Sequence, residues 1–65
     1  VNNMTLKEFL KLNSNIMCIT VEIVNSTNSL ERCDIDEVPQ YLMNKKVVGW
    51  AVEEDQEIVI EIEGE

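Results

Sequence analysis

Val47-Val48-Gly49-Trp50-Ala51-Val52-Glu53-Glu54-Asp55-Gln56-Glu57-Ile58-Val59-Ile60-Glu61-Ile62 carries the strongest pattern in the chain. Val48, Trp50 and Val52 alternate with Val47, Gly49, Ala51 and Glu53; beyond the polar break, Ile58, Ile60 and Ile62 alternate with Glu57, Val59, Glu61 and Glu63. A period of two is that of strands with one buried face, so the stretch predicts a hairpin. A two-residue turn at Asp55-Gln56 would set Trp50 against Glu61. Side chains alternate strictly along a strand, so that register mismatches the apolar faces; a three-residue loop pairing Trp50 with Ile60, or a bulge restoring the phase, is expected instead.

Working back toward the N-terminus, Ile16 to Val24 also alternates, with Met17, Ile19, Val21 and Ile23 on one face. Asn25-Ser26-Thr27-Asn28 is turn chemistry, and Ser29 to Ile35 returns antiparallel. Burying Cys33 and Ile35 beside Val21 and Ile19 requires paired residue numbers with an even sum; a sum of 54, with a three-residue loop at Ser26 to Asn28, places Glu22 opposite Arg32, an expected cross-strand ion pair. Cys33 then points inward and Cys18 outward, so the two thiols are expected to stay free. Thr5-Leu6-Lys7-Glu8 is a capping box opening a short helix whose apolar stripe is Leu6, Phe9 and Leu10, with Asn13-Ser14-Asn15 ending it. Between the hairpins, Asp36-Glu37-Val38-Pro39 signals a second short helix with Pro at its first position, Tyr41 and Leu42 facing inward, Asn44 closing it, and Lys45 and Lys46 at its negative end. The expected fold is one α+β domain over residues 1–65, order α-β-β-α-β-β: a four-stranded antiparallel sheet with two short helices on one face. Its centre is expected to be Phe9, Leu10, Ile19, Val21, Leu42, Trp50 and Ile60.

Composition narrows the function. The 65 residues include thirteen acids, five bases and no His, for a net charge of −8. So acidic a chain repels phosphate backbones, which argues against direct nucleic-acid binding. No apolar run approaches membrane-spanning length, and Val1-Asn2-Asn3-Met4 lacks the features of a signal peptide, so a cytoplasmic protein is expected. Without His, nucleophile pairs that need it are unavailable, and two cysteines alone cannot close a tetrahedral metal site. Asp34-Ile35-Asp36-Glu37 lacks the spacing and glycine of a calcium loop and reads as helix capping. Asn3-Met4-Thr5 and Asn25-Ser26-Thr27 match the glycosylation pattern but carry no weight without a secretory signal. No cofactor, no metal and no enzymatic activity are expected, because so small a domain has little room for a substrate pocket.

The acids are unevenly placed: residues 53–65 hold seven acids and no base. Glu57, Glu61, Glu63 and Glu65 would share one face at about 6.6 Å intervals, close to the phosphate spacing of a nucleic-acid strand. Glu53, Glu54, Asp55, Glu57, Glu61 and Glu63 are therefore the candidate partner-binding residues, either as a nucleic-acid mimic or as a solubilising face that keeps the strand from aggregating. On the sheet's second face Val47, Ala51 and Val59 would form an apolar strip suited to self-association. Trp50 and Tyr41 form a possible recognition pair, although Trp50 shares the phase of the core.

The opening Met4-Thr5-Leu6-Lys7-Glu8-Phe9-Leu10, the central Asp34-Ile35-Asp36-Glu37-Val38-Pro39 with Tyr41-Leu42, the strand start Lys46-Val47-Val48 and the ending Ile58-Val59-Ile60-Glu61-Ile62 together resemble the small acidic proteins of unknown function of Firmicute phages and integrative mobile elements. That resemblance implies a mobile-element origin and a bacterial cytoplasm, and it supplies no activity and no site residues. Some phage proteins of this size and charge inhibit host defence by occupying a nucleic-acid groove. The expected function is thus a non-enzymatic protein-interaction module, in its sharper form a defence inhibitor whose acidic C-terminal hairpin docks on a basic nucleic-acid-binding protein. The alternative is a structural or accessory subunit, a homodimer joined through the apolar strip.

Overall fold

The computed structural model describes residues 4–12, 20–26 and 28–64, without the side chain of Asp55. The readings made for Asn13 to Ile19, Cys18 and Glu65 lie outside these residues. Helix α1 (Leu6–Leu12) is followed by the strands β1 (Thr20–Val24) and β2 (Ser29–Asp34), two 3-10 turns (Ile35–Glu37 and Gln40–Leu42), and β3 (Val47–Val52) and β4 (Glu57–Ile62).

Both hairpins take the registers that the apolar phase requires. Glu22 pairs with Arg32 and Val21 with Cys33, but a register shift between Ile23 and Val24, where the chain enters its turn, sets Val24 opposite Ser29, so the three-residue loop expected at Ser26 to Asn28 is not formed. In that turn Asn25 and Asn28 close on each other: the Asn25 N–H donates to the Asn28 carbonyl, and the Asn28 N–H donates to Asn25 Oδ1. In the second hairpin Trp50 pairs with Ile60, and Glu54 to Gln56 form the expected three-residue loop as a 3-10 turn. Gln56 closes that loop at a φ of 63°, in the left-handed region where such hairpin loops place their last residue.

The sheet is mixed, not antiparallel. Its order is β2-β1-β4-β3, and β1 runs parallel to β4, with Val21 beside Ile58 and Ile23 beside Ile60. Alternation specifies which face of a strand is buried but leaves its neighbour open. β1 and β4 carry the most completely apolar inward faces, Val21 and Ile23 against Ile58, Ile60 and Ile62, and they occupy the two central positions.

The capping box forms as its spacing dictates. The Thr5 N–H donates to Glu8 Oε1 (3.0 Å) and the Glu8 N–H donates to Thr5 Oγ1 (3.2 Å). Two further N–H groups of the helix start find carbonyls on another element: Leu6 donates to Lys45 (2.8 Å) and Lys7 to Met43 (3.1 Å). The unpaired donors of one helical end thus satisfy carbonyls leaving the 3-10 turn, which anchors α1. The link continues as a bridge between Thr5 and Lys46 and a bond from the Val47 N–H to the Met4 carbonyl.

The expected second helix is absent; the two 3-10 turns stand in its place. Proline excludes the α conformation from the residue before it, and Val38 is accordingly extended (φ −65°, ψ 128°). Pro39 is extended as well and precedes a single turn, so nothing propagates. With three residues per turn, seating Leu42 in the core directs Tyr41 outward; Tyr41 is 67% exposed, against the inward placement expected for it.

The core comprises Leu6, Phe9, Val21, Ile23, Val38, Leu42, Ile58, Ile60 and Ile62, with Leu10, Cys33, Met43 and Val47 packed against it. Trp50 is not central. It stands on the covered side of the edge strand β3, 56% exposed, its ring tilted 56° against Phe9 at 5.8 Å. An edge strand has a neighbour on one side only, so its inward residues lose half their cover.

Candidate functional site

Helix α1 and the 3-10 turns cover one face of the sheet; among the described residues no element covers the other, open face. By alternation it carries Thr20, Glu22 and Val24 from β1, Arg32 and Asp34 from β2, Gly49 and Ala51 from β3, and Glu57, Val59 and Glu61 from β4. Val59 lies between Glu22 and Ala51 across the sheet, and Glu61 between Val24 and Gly49. Apolar and acidic residues therefore form a checkerboard over three strands. Gly49 leaves a dent beside Glu61, and Val24, Ala51 and Val59 floor an open hollow of about 240 Å³ with Glu53 and Glu61 on its lining.

The expected ion pair of Arg32 is remade by the sheet order. Arg32 lies opposite Glu22, yet its guanidinium reaches across β1 to Glu57, with Nε 2.8 Å from Oε2 and a second nitrogen donating to Oε1 at 3.1 Å. Glu22 instead accepts from Ser29 Oγ at 2.7 Å. Glu57 is only 15% exposed beneath this fork, so it is committed within the protein and is not presented to a partner.

The remaining acidic candidates are placed as follows. Glu53 and Glu54 are exposed at the hairpin tip, Asp55 contributes backbone to the turn between them and Gln56, and Glu61 is half-buried at the hollow. Glu63 is exposed beyond the end of β4, its N–H donating to the Lys46 carbonyl. Within β4 the proposed phosphate-like ladder thus has two rungs, one of them neutralised by Arg32. Of the apolar strip, Ala51 and Val59 are paired neighbours on the open face. Val47 is not with them: the irregularity between Val47 and Gly49 sets it opposite Ile62, where it packs against the core. Gly49 joins them through the hairpin, opposite Glu61, whereas Val24 and Glu22 join the face only through the parallel β1–β4 contact, which no local pattern announces.

Cys33 is a free thiol on the core side. Burial, and then the carboxylates of Glu31, Glu37 and Asp34, push its pKa upward. The surroundings therefore favour the unreactive thiol over the thiolate. Among the described residues no three His, Cys, Asp or Glu side chains are grouped to hold a metal ion, and no helix is long and apolar enough to cross a membrane. Comparison with protein-family models, with curated proteins and with solved structures finds no match for this chain.

Proposed function

We propose that the protein is a non-enzymatic interaction module that docks a basic protein surface on its open sheet face. The observation that carries this reading is the hollow floored by Val24, Ala51 and Val59 and bordered by Glu53 and Glu61. An apolar centre inside a charged border is the anatomy of a protein interface, in which the centre supplies desolvation and the border supplies orientation and charge selection. A chain of net charge −8 adds long-range attraction for a basic partner, and nucleic-acid-binding proteins are the broadest such class. With Glu57 held by Arg32, the docking surface is this bordered hollow rather than a row of phosphate-like carboxylates. Inhibition of a basic host-defence protein of a phage's host fits the same surface.

Self-association through the same face is the weaker reading, since Val47 lies elsewhere and stacking two such faces would bring Glu53 and Glu61 of two acidic chains together. The test is capture from bacterial lysate in steps of rising salt, comparing the native chain with Val59→Lys and with Glu53→Gln/Glu61→Gln. A basic protein held at low salt, released at high salt and retained about tenfold less by both variants supports the reading. Equal retention by all three chains, or no capture, overturns it.

A further inference from the structure

Beside the Glu57 that Arg32 holds, β4 carries a second carboxylate on the open face, Glu61, four residues further along the strand. Glu61 is half-buried, and among the described residues its carboxylate takes no hydrogen bond and no ion pair. It leans over Gly49, with Oε1 3.9 Å from the point where a Cβ of residue 49 would stand. That is ordinary contact, and no glycine of the described residues has a positive φ, so neither space nor backbone conformation requires glycine there. The irregularity between Val47 and Gly49 does not require it either, for the same reason. A glycine inside a strand weakens it; where the fold makes no demand for one, it marks a place where another group comes close to the backbone. The hollow beside it, of about 240 Å³, lies below the usual range of small-molecule sites and fits one long side chain. Every residue of its lining is among those described.

We propose that this hollow seats one arginine side chain of the basic partner, its stem on Val24, Ala51 and Val59 and its guanidinium against Glu61 beside Gly49. The inference rests on the docking reading above and names the side chain that anchors it. Charge complementarity selects a cation: the lining holds the carboxylates of Glu53 and Glu61 and no basic residue. The face itself shows how it holds a guanidinium. Arg32 lies across β1 and forks onto Glu57, with Nε 2.8 Å from Oε2 and a second nitrogen 3.1 Å from Oε1. A guanidinium is planar and more weakly hydrated than an ammonium, so it can lie flat on the bare backbone of Gly49 and gives up less water to reach a half-buried carboxylate. An arginine seated in a small pocket is also a side chain on which interface energy concentrates.

The experiment titrates the full isotope-labelled chain at low salt with N-acetylarginine amide, reading amide shifts. Parallel titrations use the corresponding blocked lysine and blocked citrulline, the neutral isostere of arginine. The proposal expects saturable shifts centred on Gly49 and Glu61 with a Kd of about 1–10 mM for arginine, at least threefold weaker binding of lysine and none of citrulline. Glu61→Gln is expected to weaken arginine binding at least fivefold. Gly49→Ala, which places a methyl in the dent at ordinary contact distance, is expected to weaken it at least threefold, with thermal melts showing both variants folded. Glu37→Gln, an equal loss of charge on the first 3-10 turn, is expected to change nothing. Lack of saturation with arginine, an equal response to lysine or citrulline, or undiminished binding by Glu61→Gln overturns the proposal; the comparison of arginine with citrulline needs no variant. If a basic protein is captured through the hollow while arginine gives no response, this inference falls and the docking reading stands. If arginine binds and nothing is captured, the arginine seat stands and the docking reading falls.

Discussion

Arg32 on the edge strand β2 is tied to Glu57 on the central strand β4 by a two-pronged ion pair that passes over β1, with contacts of 2.8 and 3.1 Å. It is a bond between the two hairpins that neither hairpin's own pattern contains. Arg32→Ala removes the fork and with it the cationic partner of Glu57, whose side chain is 15% exposed. Because Arg32 is 68% exposed, solvent screens the pair, and the expected loss is modest. It is about 1 kcal/mol, a fall in Tm of about 4–8 °C for a domain this size. Arg32→Lys should recover less than half of the loss, since an ammonium cannot reproduce the fork. Thermal melts of the three proteins check this.

Gln56 holds a φ of 63° at the end of the hairpin loop. A side chain in the left-handed region costs about 1–2 kcal/mol, partly offset in a glycine variant by the glycine's greater freedom when unfolded. Gln56→Gly is therefore expected to raise stability by about 0.5 kcal/mol, or about 2–4 °C in Tm. Gln56→Val, branched at Cβ, should lower stability instead. Chemical denaturation of the pair reads both signs.

Cys33 has a pKa raised above its ordinary value of 9.0 by burial and by the neighbouring acids. As pH rises through that ordinary value, the unfolded chain releases its thiol proton while the folded chain keeps it. The unfolded state then binds fewer protons, and stability falls with rising pH. In a Cys18→Ser background, stability attributable to Cys33 should be constant below about pH 9 and decline above it. Alkylation by iodoacetamide near pH 8 should be several-fold slower in the folded chain than in urea. Equal rates would mean that the thiol is neither shielded nor held protonated.

The hairpins were legible because their signal is local. Strict alternation around Trp50 and Ile60, and around Val21 and Cys33, leaves one parity that buries both apolar faces, and both registers follow from it. The capping box at Thr5 and Glu8 was legible for the same reason. The parallel contact of β1 with β4 was not, because it joins residues nearly forty positions apart with no turn to fix them. Everything that depends on it was hidden with it: the reach of Arg32 to Glu57, the approach of Val24 to the hollow and of Glu22 to Val59, and the edge position that exposes Trp50. Val47 was misplaced by one irregularity, which inverts the face of each residue on its far side. The second helix failed at Pro39, where a favourable first-turn residue also bars Val38 from the helix.

Docking on the open face is the central claim, and residue-by-residue mapping of the bound surface tests it most directly. Amide chemical-shift perturbation of the isotope-labelled chain, titrated with its captured basic partner, is expected to be largest at Val24, Gly49, Ala51, Val59 and Glu61. Perturbation confined to α1, to the 3-10 turns at Ile35–Glu37 and Gln40–Leu42, or to β2, with the hollow unchanged, would contradict the account.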